Sequence, residues 1–196
     1  AEEAGFDMIE LHCAHGYLLN SFLSPKTNVR TDEYGGNMEN RLKFPIEVFA
    51  ALRAAWPEEK PISVRVSAHD WVDGGIMPED AVGIAKAFKE VGCDILDVSS
   101  GQVVSEEKPV YGRLFQLPFS DRVRLEAEMP TMTVGNIQSF ADANSIIAGG
   151  RADICVIARM HLFDPYWTRH AANELSYPLE MPVQYKSVET YTPRWT

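Results

Sequence analysis

Five short segments rich in β-branched residues, FDMIELHC (6–13), ISVRVSA (62–68), DILDVSS (94–100), PTMTVGN (130–136) and DICVIAR (153–159), are separated by stretches of helical periodicity. Strand and helix therefore alternate along the chain. Such an order dictates a parallel sheet with right-handed crossovers, either open and doubly wound or closed into a barrel. In MENRLKFPIEVFAALRAAW, Phe44, Val48, Leu52 and Ala55 fall on one stripe, and Pro45 must kink this helix or mark its real start. PEDAVGIAKAFKEVG opens with Pro78 and stops at Gly92. Ser139 is the expected cap of a helix ending at Gly149 and Gly150, and Asp164 with Pro165 is expected to open the last helix.

The polar residues decide between sheet and barrel. His12, His15, Arg65, Ser99, Ser100, Gly135, Asn136 and Arg159 all stand at or just past the C-terminal end of a strand. In a β/α barrel these ends form one mouth where groups from several strands converge. A closed barrel takes about eight strands, whereas about five are found here, and AEEAG at the start reads as the last turn of a helix that precedes a strand. The expected fold class is α/β, the C-terminal portion (about strands 4 to 8) of a (β/α)8 TIM barrel whose first strands are missing. After Leu175, SYPLEMPVQYKSVETYTPRWT has no period and is expected to be an extended tail, residues 176–196, docked on its own domain or on a partner.

With 196 residues, 45% hydrophobic and 23% charged, one soluble domain is the expectation. No stretch approaches the roughly 18 apolar residues of a membrane span, and AEEAGFD lacks the features of a signal peptide, so a cytoplasmic location with no membrane partner is expected. The net charge of −10 disfavours a nucleic-acid groove but leaves room for a local phosphate site built from backbone amides. Cys13, Cys93 and Cys155 are an odd set in apolar surroundings and read as reduced core residues.

His12 and His15 would point to opposite faces of a regular strand, and only a turn directly after it, which Gly16 eases, would bring both over the mouth. They polarise a substrate or cofactor, or they are satisfied structural histidines. A zinc site would want further His, Asp or Glu ligands at other strand ends, which instead supply Arg65, Ser99, Gly135 and Arg159, so no metal is expected. Tyr17 carries a phenolic proton that could reach a carbanion. Arg65, flanked by valines, needs either a structural ion pair or an electron-rich ligand edge, because a guanidinium does not shed its charge. VGN (134–136) and IAR (157–159) end the last two strands with small residues that let backbone N–H groups approach a phosphate, with Arg159 adding charge.

HCAHGYLLNSFLSPKTNVRTDEYGGNMENR, from His12 to Arg41, resembles the signature of the Old Yellow Enzyme family, the FMN-dependent NADH:flavin oxidoreductases. The resemblance runs from about Phe6 to Pro165 and implies a partial FMN-binding barrel over residues 1–175. It implies that His12 and His15 hydrogen-bond a substrate carbonyl and that Tyr17 donates a proton. It places Arg65 near the flavin pyrimidine edge, and Gly135, Asn136, Ala158 and Arg159 at the FMN phosphate. Reduced FMN, recharged by NAD(P)H, would then deliver hydride to an activated conjugated substrate. Asp32, Tyr34, Gly35 and Gly36 read as loop architecture, with Asn40 and Arg41 pinning the next helix.

Three departures qualify the match. The family commonly has Gly-Arg where this chain has Ala158-Arg159, so a backbone of positive φ there would be strained. No cysteine run follows Cys155, unlike relatives with an iron–sulfur cluster. Certain homo-oligomeric relatives end in PxQYxR and lend that arginine to a neighbouring subunit; here the position is Ser187, with Arg194 as a stand-in. The region from SSGQVVSEEKPVYGRLFQLPFSDRVR to the tail is also similar to the reductase-like half of fused bacterial flavoproteins acting on aryl-CoA thioesters, such as salicylyl-CoA 5-hydroxylase and 2-aminobenzoyl-CoA monooxygenase/reductase. That match implies an upstream FAD monooxygenase domain and an aryl-CoA substrate. The alternatives are a metal-dependent barrel hydrolase using His12 and His15, and an inactive fragment of a larger flavoprotein.

Overall fold

The computed structural model describes residues 1–189 and 191. The chain divides into two compact units, Ala1–Ile157 and Ala158–Thr196. In the first unit, strands β1 (Ile9–Cys13), β2 (Ile62–Ser67), β3 (Ile95–Ser99), β4 (Thr131–Thr133) and β5 (Ile154–Cys155) form one sheet in that order. Every neighbouring pair is parallel. All five expected segments contain a strand, each shorter than the apolar run because its last residues turn into a loop.

The register puts His12, Arg65, Asp97, Met132 and Ile154 in one row across the sheet. Side chains alternate along a strand, so this face also carries Ser63, Ser67 and Ser99. The opposite face carries Leu11, Cys13, Val64, Val66, Leu96 and Val98, which belong to a single apolar cluster with Phe49, Ile84, Phe88 and Val123 from the helices. The strands therefore do not read as uniformly apolar. Helices cover the apolar face, and the other face holds a polar stripe that ends at the C-terminal edge.

Helix α1 (Leu18–Leu23) follows β1, and α2 (Met38–Ala55) starts where Asn37 accepts a hydrogen bond from the Asn40 backbone. Pro45 lies inside α2, so the helix begins seven residues before it. Helix α3 (Pro78–Glu90) closes before Gly92, whose φ of 94° needs glycine. Helices α4 (Leu117–Glu126) and α5 (Phe140–Ala148) complete the crossovers, the latter capped by Ser139.

Asn40 donates to Gly35 O at 3.0 Å, and Arg41 donates to Leu23 O and Gly36 O at 2.8 and 2.5 Å. These two residues thus pin the 24–37 loop to the first turn of α2. Cys13 and Cys93 are buried free thiols, and Cys155 is half-buried and also free.

In the second unit, α6 (Arg159–Phe163) and α7 (Trp167–Glu174) precede a 3-10 turn at Val183–Val188 that includes Ser187. Pro165 and Tyr166 form a turn and α7 starts two residues past Pro165; Asp164 accepts from the Tyr166 backbone at 3.0 Å, as a capping side chain does, and pairs with His170. Arg194, the stand-in for the tail arginine, lies outside the described residues.

Candidate active site

β1 stops at Cys13, and two left-handed residues follow, His15 at φ 58° and Gly16 at φ 73°. They reverse the chain so that the His12 ring lies 5.4 Å from the His15 ring and 5.1 Å from the Tyr17 ring, centroid to centroid. Gly16 is required twice over: its φ favours glycine, and a Cβ would stand 2.9 Å from Gln102 O. Its N–H is held by Asn20 Oδ1 of α1 at 2.8 Å. Trp71, Gln102 and Asn136, just past β2, β3 and β4, also adopt positive φ. Strained backbone of this kind clusters where side chains must be held for function.

Arg65, level with His12 on the next strand, reaches across to Asp97, Nη1 to Oδ2 3.3 Å. The Arg65 Nε and Asp97 Oδ1 atoms are buried without a hydrogen-bond partner among the described residues. Burial pushes the Asp97 carboxyl up to about 7, against the pull of Arg65 and with a small push from Glu10. The ion pair expected of a guanidinium among valines is present with Asp97, and Nε is left without a partner among the described residues.

Burial, Arg65 and His12 together hold His15 down at about 4, and burial and Arg65 lower His12 against the opposing charge of Glu10. Both imidazoles are neutral near pH 7, so each offers one N–H and one acceptor. Two serines fix His15. Its backbone N–H donates to Ser67 Oγ at 3.0 Å, and its Nε2 lies 2.7 Å from Ser99 Oγ. Ser67 in turn donates to Gly101 O at 3.0 Å.

At the end of β4, Gly135 has φ 115°, and a Cβ there would stand 2.6 Å from Gln116 Nε2. The Asn136 side chain is spent on loop contacts, donating to Gly112 O at 2.9 Å and accepting from Gln138 at 2.9 Å. In the second unit, Ala158 has φ −114° and ψ −72°, so alanine bears no left-handed strain there, and Arg159 is the first residue of the five-residue α6.

The structure thus brings the His12, His15 and Tyr17 rings together at the C-terminal end of β1; Arg65, in register with His12, lies inside β2 and two residues before its end rather than at it, and Gly135 lies two residues past β4. Asp97, Gln116 and Asn20 had no assigned role in the sequence. The buried acid within DILDVSS was a usable signal for Asp97. Nothing local marks Gln116, which lies in a loop. Among the described residues, no three His, Cys, Asp or Glu side chains are grouped to hold a metal ion, and no helix is long and apolar enough to cross a membrane.

Comparison with known proteins places the chain among flavin-dependent oxidoreductases. The NADPH dehydrogenase of Bacillus licheniformis is 48% identical over 185 residues, which are 94% of this chain and 54% of that protein. That of Geobacillus thermodenitrificans is 47% identical over 186 residues, 95% and 54%. The chain therefore spans about half the length of these curated relatives. Among solved structures, 2-naphthoyl-CoA reductase in complex with 2-naphthoyl-CoA superposes with a TM-score of 0.81 at 27% identity, over 90% of this chain and 27% of that one. Morphinone reductase superposes at 0.70 with 25% identity, over 96% and 48%. The model of the NADH:flavin oxidoreductase / NADH oxidase family matches residues 1–177, and the chain belongs to that family.

Proposed function

We propose that this chain carries the substrate-polarising part of an FMN-dependent, NAD(P)H-driven reductase of activated double bonds, and that its sheet is the C-terminal run of strands of a β/α barrel. The observation that carries the reading is the gathering of the His12, His15 and Tyr17 rings at one strand end, with Arg65 in register beside His12. The parallel order, the helices on one face and the polar row on the other support the partial barrel.

The residues fit a flavin, because Arg65 Nε is a buried donor with no partner on the same face as His12. When bound and reduced, FMN supplies a hydride to the β-carbon of a conjugated substrate. His12 and His15 would each donate an N–H to the substrate carbonyl oxygen and so draw electrons from the double bond. Tyr17, 64% exposed, would hold the proton destined for the α-carbon. Arg65 would offer its uncommitted N–H and its charge to the flavin. Gly135 and Asn136 would serve the phosphate through their backbone, and Ala158 and Arg159 carry the same proposed role from the motif alone.

The curated relatives are named NADPH dehydrogenases, which supports NADPH as reductant. Similarity to 2-naphthoyl-CoA reductase supports an aryl-CoA thioester as a substrate class. The test is to purify the full-length protein and measure bound FMN and NADPH oxidation with 2-cyclohexenone and with cinnamoyl-CoA, an aryl-conjugated enoyl thioester. Bound FMN with acceptor-dependent oxidation is expected. Bound zinc with no yellow chromophore would instead point to the hydrolase alternative.

A further inference from the structure

We infer that Ser67 is the positioning residue for His15: its one hydroxyl clasps the turn that carries His15 to the turn that follows β3, and so keeps His15 beside His12. This rests on the proposed role of His15 as a donor to a substrate oxygen and adds what holds the backbone under that ring. Ser67 is the last residue of β2, the strand between β1 and β3, and it is 1% exposed.

The strands on either side of β2 end within one residue of the same level. β1 stops at Cys13, in register with Val66, and β3 stops at Ser99, in register with Ser67. Two residues further on, each chain enters a left-handed pair, His15 at φ 58° with Gly16 at 73°, and Gly101 at φ 69° with Gln102 at 61°. For His15 and Gln102 such backbone is costly, and it persists only where the surroundings hold it. The two pairs also meet directly, since a Cβ on Gly16 would stand 2.9 Å from Gln102 O.

The Ser67 hydroxyl bridges these turns. It accepts from the His15 backbone N–H at 3.0 Å and donates to Gly101 O at 3.0 Å. Both directions are forced, because a backbone N–H can only donate and a carbonyl can only accept, so the one proton of the hydroxyl goes to Gly101 O. Each turn has a further support of its own: Gly16 N–H donates to Asn20 Oδ1 at 2.8 Å, and Gly101 N–H donates to His69 O at 2.8 Å. Ser67 is what joins one turn to the other. Without its oxygen, the His15 N–H and Gly101 O both lose this partner, and His15 is released to relax out of the left-handed region and carry its ring away from His12. Ser67 touches no reacting atom and acts through His15.

The test is a double-mutant cycle of Ser67→Ala and His15→Ala in the flavin-loaded full-length protein, read by the affinity of 4-nitrophenolate at matched flavin content. Alone, Ser67→Ala is expected to weaken binding about tenfold. Added to His15→Ala, it is expected to change binding by less than about twofold, because the ring it positions is already gone. Wild-type affinity in Ser67→Ala overturns the assignment. So does a further loss of about tenfold when Ser67→Ala is added to His15→Ala, which would mean that the serine supports the site as a whole. Ser67→Cys keeps the side-chain shape and replaces the oxygen by a weak acceptor; it is expected to follow the same pattern and decides the matter if Ser67→Ala does not fold. His15→Ala separates this from the underlying reading. If that variant binds 4-nitrophenolate as well as wild type does, the donor role of His15 fails and the role of Ser67 with it. If it binds weakly while Ser67→Ala binds like wild type, only the role of Ser67 fails.

Discussion

Arg65 Nη1 stands 3.3 Å from Asp97 Oδ2 on the neighbouring strand, yet the carboxyl is held near 7, because burial outweighs the single cationic contact. The ordinary aspartate value is 3.8. Between about pH 4 and 7 the folded protein therefore keeps a proton that the unfolded chain has released, so Asp97 makes stability fall as pH rises through that window. Asp97→Asn removes this dependence. The melting temperature of the variant relative to wild type is expected to shift in the variant's favour from pH 5 to pH 8. A constant difference across these pH values would contradict the assignment.

Gly16→Ala places a Cβ against Gln102 O at a residue of φ 73°. The expected cost is about 1–3 kcal/mol in urea unfolding. Because the same turn swings His15 toward His12, phenolate binding should weaken too. Wild-type stability together with wild-type binding would show that the turn tolerates a side chain.

Tyr17 is exposed and touches His12 through its ring only. Tyr17→Phe is expected to lower kcat for enone reduction about a hundredfold while the dissociation constant of 4-nitrophenolate stays within about twofold, since the hydroxyl makes no hydrogen bond among the described residues. Unchanged kcat would remove Tyr17 from proton delivery.

Arg41 is buried and donates to one carbonyl at the end of α1, Leu23 O, and to one in the loop before α2, Gly36 O. Arg41→Lys cannot reproduce both bonds from one planar fork, and a loss of about 1–3 kcal/mol is expected in denaturant unfolding. A change below about 0.5 kcal/mol would mean the loop is held by other contacts.

The sequence announced the strands because β-branched residues recur in short runs, and it announced the ends of α3 through Pro78 and Gly92. It missed α1, since six residues are too few to display a helical period, and it missed α4, whose LPFSDRVRLE carries little apolar periodicity. It set the last helix at Pro165, whereas Pro165 and Tyr166 form a turn and the helix starts at Trp167, although Asp164 does accept from the Tyr166 backbone. In the site, the spacing of His12 and His15 posed the right question, and the left-handed pair at His15 and Gly16 answers it. The groups that orient His15 were illegible: Ser67 and Ser99 lie 52 and 84 residues away and meet it only through the register of three parallel strands. Arg65 was legible as an oddity, a charge among valines, but its partner Asp97 becomes visible only once β2 and β3 are laid side by side.

The most direct measurement is the affinity of 4-nitrophenolate for the flavin-loaded full-length protein, wild type against His12→Ala, at matched flavin content. If the strand-end imidazoles hold a substrate oxygen, the variant binds about tenfold or more weakly with its flavin intact. Equal affinity in the two proteins would contradict that placement.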